Sequence, residues 1–72
     1  MELDLDIPKE KPHWLVLKHR NNITVSHNKE TDTIYAVYNG AYYETGETER
    51  EAVVALLHQL KLEGWETVSI EP

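Results

Sequence analysis

The sequence predicts one small α+β domain, an antiparallel sheet with a single helix packed on one face, in the order β-β-β-β-α-β. Three observations predict it. Short runs with alternating apolar and polar residues fill the first two thirds of the chain, an Asn-Gly pair separates two of them, and after Gly46 the apolar spacing becomes helical. At 72 residues the chain supports one domain. Such a domain buries only roughly 60% of the surface its unfolded chain exposes, so the core is thin. A composition that is 40% hydrophobic and 28% charged is that of a globular chain.

Residues 1–12 alternate Glu2, Asp4 and Asp6 with Leu3, Leu5 and Ile7 until Pro8 and Pro12 end the pattern. They suit either an acidic N-terminal tail or an edge strand with a charged outer face, and the α+β domain then spans residues 13–72. "HWLVLKHR" (His13 to Arg20) reads as the first strand of that domain and "ITVSHN" (Ile23 to Asn28) as the second, joined at Asn21-Asn22. A two-residue turn there sets Leu15 and Leu17 on the face opposite Ile23 and Val25. A three-residue loop with a bulge gathers Leu15, Leu17, His19 and Val25 on one face and is the better register.

"NKETD" is a polar turn leading to a third strand, "TIYAVY" (Thr33 to Tyr38). Asn39-Gly40 makes a tight hairpin, since both central positions of a type I′ turn need positive φ. In a two-residue register the fourth strand, "AYYET", pairs Tyr42 with Val37 and Tyr43 with Ala36. Ile34, Ala36 and Tyr43 then face the helix, while Tyr35, Val37 and Tyr42 look outward.

Thr48-Glu49-Arg50-Glu51 is a capping box and starts a helix. Its acidic residues sit at the positive end of the helix dipole. Val53, Leu56, Leu57 and Leu60 form one stripe for the sheet. Val54, Ala55 and Leu62 lie off that stripe beside His58 and offer a second face for a homodimer. Gly64 reads as the residue that ends the helix, and "WETVSI" (Trp65 to Ile70) as a closing strand.

The absence of cysteine excludes a disulfide scaffold, a thiolate metal site and thiol catalysis. No apolar run approaches the roughly 20 residues of a membrane span, and the acidic N-terminus is unlike a signal peptide. A cytoplasmic location with no membrane partner is expected. Seven basic against thirteen acidic residues, a net charge of -6, argue against nucleic acid as a partner. His13, His19, His27 and His58 show no i, i+4 pair, and no carboxylate is placed to orient a ring, so neither a metal nor another cofactor is expected. Ser26 and His27 are neighbours on a strand and project to opposite faces. With no nucleophile elbow and no phosphate loop, the chain is expected not to be an enzyme.

The tyrosine hairpin remains. Tyrosine offers rigid contact area with a polar tip and is enriched at protein interfaces. Tyr35, Val37, Tyr42 and Glu44 are therefore the candidate partner-binding residues of a small regulatory module that covers a protein surface. Two alternatives stand beside it: an acidic phage-type inhibitor imitating nucleic acid, and a sheet that stacks bases on its tyrosines.

"IYAVYNGAYYETGETEREAVVALLHQL" resembles the strand, strand and helix of HicB-like antitoxins, through Tyr35, Gly46, Thr48, Glu51 and Ala52. The resemblance covers residues 34–60 and implies a toxin as the partner. The close of the chain looks like that of a small uncharacterised bacterial domain family, matched by Leu60, Gly64, Trp65, Glu66, Val68 and Ser69. That likeness implies a corner from helix to strand.

Overall fold

The computed structural model describes residues 12–70, so the reading of residues 1–12 falls, Pro12 apart, outside the described residues. The chain forms α1 (His13–Arg20), β1 (Thr24–Asn28), β2 (Thr33–Tyr38), β3 (Tyr42–Gly46) and α2 (Glu49–Leu60), then a 3₁₀ turn at Trp65–Thr67. It is an α+β domain whose described order is α-β-β-β-α. The sheet has three antiparallel strands in the order β1-β2-β3, with α2 laid across β2 and β3 and α1 packed against α2. Among the described residues no helix is long and apolar enough to cross a membrane.

Two expected strands are not formed. "HWLVLKHR" is helical, with its first amides bonding back to the carbonyl of Pro12 and Lys18, His19 and Arg20 at the negative end of the helix dipole. Asn21-Asn22 closes this helix instead of turning a hairpin. Asn22 takes a left-handed φ of 59°, its amide reaches the His19 carbonyl, and the Ile23 amide reaches the Lys18 carbonyl at 2.9 Å. This is a Schellman cap. The helix places Trp14 and Leu17 on one face, and Leu17 is fully buried with Ile23, Ala36, Leu56 and Leu57. The face expected to gather Leu15, Leu17, His19 and Val25 does not exist.

At the other end "WETVSI" folds as a 3₁₀ turn followed by an extended stretch laid on α2. The carbonyl of Val68 can only accept, so His58 donates from Nε2 at 2.6 Å. Trp65 stands edge-on to the His58 ring at 5.3 Å, and the Arg50 guanidinium donates to the Ser69 carbonyl at 2.9 Å. These side chains take the place of a sheet neighbour for the segment.

The cap of α2 is as expected. The Thr48 hydroxyl accepts from the Glu51 amide at 3.1 Å, while the Glu51 carboxylate accepts from the Glu47 amide, one residue further back than in the usual box. Val53, Leu56 and Leu57 are fully buried and Leu60 is half-buried against the core. Each large side chain so buried contributes about 1.5–3 kcal/mol. Val54 is also buried, at 1% exposed, so it is not part of an exposed second helix face.

Gly64 does not end α2. The helix stops at Leu60, Lys61 takes the left-handed conformation at φ 54°, and the Leu62 amide reaches back to the Leu57 carbonyl at 3.1 Å. Gly64 has a different task. A Cβ there would lie 2.5 Å from one Leu17 methyl and 3.1 Å from the other, so the glycine lets the C-terminal corner close on α1. Asn21 fastens the same contact by donating its side-chain amide to the Leu17 and Glu63 carbonyls. Gly46 plays the matching part where β3 meets α2, since a Cβ there would sit 2.7 Å from the Ala52 amide nitrogen.

Candidate functional site

Among the described residues, the helices cover one face of the sheet and leave the other open. Period-2 alternation assigns every strand residue to a face once the register is known. One set of cross-strand rows is Val25–Ala36–Glu44 and His27–Ile34–Gly46, with Tyr38 beside Tyr42, and this set holds the buried Ala36. The opposite set is Thr24–Val37–Tyr43 and Ser26–Tyr35–Thr45, with Asn28 beside Thr33. The open face is therefore made of hydroxyl-bearing residues, one amide, one valine and two tyrosines. None of its positions carries a charge, in a chain with 28% charged residues.

The turn between β2 and β3 decides which tyrosine belongs to it. Asn39 and Gly40 have φ of 61° and 68°, and the Ala41 amide bonds the Tyr38 carbonyl at 3.1 Å, as an Asn-Gly turn requires. Ala41 nevertheless stays in the loop, and strand pairing resumes with Tyr38 opposite Tyr42. The expected pairs, Val37 with Tyr42 and Ala36 with Tyr43, are thus displaced by one residue. A slip of one exchanges the faces of the whole strand. Tyr43 stands on the open face opposite Val37, and Tyr42 stands beside Tyr38 on the helix side.

Tyr35 and Tyr43 form a tilted pair, ring centroids 5.7 Å apart at 42°, across the β2–β3 ladder. Tyr43 is 61% exposed, while Tyr35 and Val37 are half-buried. With Ser26 and the Gly40-Ala41 end of the turn they line a shallow depression of about 300 Å³, which Tyr42 borders. The Tyr42 ring pairs with Tyr38 at 6.4 Å and is itself 52% exposed at the sheet edge. Of the four candidate residues, then, Tyr35 and Val37 meet on the open face, whereas Tyr42 and Glu44 lie on the helix-covered side. Glu44 is half-buried there, on an edge strand, where an inward-pointing charge discourages further strand pairing.

Sequence reasoning placed Tyr43 under the helix and did not single out Thr24, Ser26 or Thr45. The signal that finds them is the cross-strand row: a β2–β3 loop of three residues sets Tyr43 and Thr45 beside Val37 and Tyr35, and the β1–β2 register sets Thr24 and Ser26 there.

The histidines are dispersed. His13 and His19 lie in α1, His58 holds the C-terminal segment, and His27 bonds the Asp32 carboxylate at 3.0 Å on the β1–β2 turn. Among the described residues no group of three or more potential metal ligands comes together. No protein-family model matches the chain, and no curated protein or solved structure matches it significantly.

Proposed function

We propose that the chain is a small non-catalytic binding module that docks a protein partner on the open sheet face, through Tyr35, Val37 and Tyr43. One observation carries the reading: Tyr43, exposed at 61%, pairs its ring with Tyr35 on a face whose strand positions carry no formal charge. Rigid tyrosines with a hydroxyl at the tip, set among small hydroxyl side chains, lose little conformational entropy on contact and remain soluble when uncovered. A neutral contact of this kind favours protein docking over imitation of nucleic acid, in which carboxylates make the contact. In the HicB-like version of this reading the partner is a toxin.

Salt tests it. A partner held by the neutral face stays bound to the immobilised chain as ionic strength rises from roughly 0.05 to 1 M, because screening over the shrinking Debye length has no interfacial ion pair to weaken. Release within that range contradicts the reading and favours charge imitation.

A further inference from the structure

We infer that the open sheet face also takes a second copy of this chain, so that a transient face-to-face homodimer competes with the partner for Tyr35, Val37 and Tyr43. The inference rests on the reading of that face as a docking surface, and charge is its first support. Two copies, each with a net charge of -6, repel one another in most approaches. The open face is where they can meet without opposing like charges or stripping water from a carboxylate, since Thr24, Ser26, Tyr35, Val37, Tyr43 and Thr45 are all neutral. Shape is the second support. A twisted antiparallel sheet face packs on another of its kind with strands near −30°, and a twofold axis lets the same patch serve both copies.

Area sets the strength. Three strands spaced by about 4.8 Å, each of five or so residues at about 3.4 Å, give a footprint of roughly 14 by 17 Å. Even with side-chain relief added to that footprint, the area covered on two copies stays well below the about 1,200–2,000 Å² of a stable specific interface. Such a dimer is weak and transient, to be sought at concentrations up to the order of 1 mM. It hides the tyrosines when the chain is concentrated and gives way to a tighter partner.

Sedimentation equilibrium on the full chain, from about 20 μM to about 2 mM, tests this range. The apparent mass should rise from the 8.4 kDa of one chain toward twice that value. Tyr43→Glu puts two carboxylates into the shared patch and should weaken association at least about tenfold, whereas Tyr42→Glu, with the same charge on the other face, should change it by less than about twofold. Mixing Tyr43→Glu with Tyr43→Lys should restore association, which misfolded variants cannot do. A chain that stays at its monomer mass throughout, a Tyr42→Glu variant that loses association, or a mixture that fails to recover it overturns the inference. If the chain is monomeric throughout yet Tyr43→Glu still abolishes partner capture, the homodimer is wrong and the docking face stands. If the chain self-associates through Tyr43 but no captured partner depends on that residue, the dimer stands and the partner reading fails.

Discussion

Gly64→Ala tests how the C-terminal corner is locked to the first helix. Gly64 sits at φ 89°, and an added Cβ meets the methyls of the fully buried Leu17 at 2.5 and 3.1 Å. A left-handed non-glycine residue costs about 1–2 kcal/mol, and a methyl forced into a filled core about 1–3 kcal/mol more. Stiffening of the unfolded chain returns about 0.4–1 kcal/mol. The net loss is about 2–4 kcal/mol, a large part of the roughly 4–11 kcal/mol expected for a domain of this length. Urea denaturation followed by tryptophan fluorescence measures it, with a midpoint falling by about 1–4 M at the slope of a small domain. Leu17→Val removes both offending δ-methyls, so Gly64→Ala should cost only its backbone share of about 1–2 kcal/mol in that background. A loss under about 1 kcal/mol in the parent chain, or no coupling to Leu17, refutes the close approach of Gly64 to α1.

Thr48→Ala removes the acceptor for the Glu51 amide and should lower stability by about 1 kcal/mol in the same assay; an unchanged midpoint means that the cap contributes nothing. Leu57→Ala, at a fully buried position, should cost about 2–5 kcal/mol, whereas Tyr43→Ala, on the open face, should change stability by less than about 1 kcal/mol. The reverse order of these two losses places the core on the wrong side of the sheet. Lys61→Gly should stabilise the domain by about 0.5–1 kcal/mol, because lysine there occupies a left-handed position that glycine adopts freely, and a destabilised variant shows that the lysine contacts outweigh the strain.

What could be read from the chain depended on whether the signal was local. Thr48 and Glu51 announce a helix start because a hydroxyl and a carboxylate at that spacing can bond the amides of the same turn; the structure forms the Thr48 bond and shifts the Glu51 bond to the Glu47 amide. The strand Thr33–Tyr38 was equally legible, because five of its six residues are β-branched or aromatic. His13–Arg20 was not. Leu15-Val16-Leu17 is a continuous apolar run without a period, Pro12 supplies no side-chain cap, and Asn22 in the left-handed region serves a hairpin and a helix end alike. What decides is tertiary: Leu17 fits beneath Gly64, a residue 47 positions along the chain.

Gly64 misled for the related reason that glycine is the usual left-handed residue after a helix, and nothing local says that Lys61 takes that place instead. The candidate site was half legible. Tyr35 and Val37 face outward by alternation from Ala36, whatever the turn. Tyr42 and Tyr43 hang on one residue, Ala41, which can equally begin a strand or finish a loop.

The docking claim is tested most directly by those two adjacent tyrosines. Tyr43→Glu and Tyr42→Glu are isomeric chains, both altered at exposed positions, with the new charge on opposite faces of one strand. Each is immobilised after circular dichroism has established that it folds, and the protein captured from the source cells is quantified against the parent chain. Loss of the captured protein with Tyr43→Glu, by about tenfold or more, and its retention with Tyr42→Glu is the predicted result. Retention with Tyr43→Glu, or loss with Tyr42→Glu alone, contradicts the assignment of function to the open face.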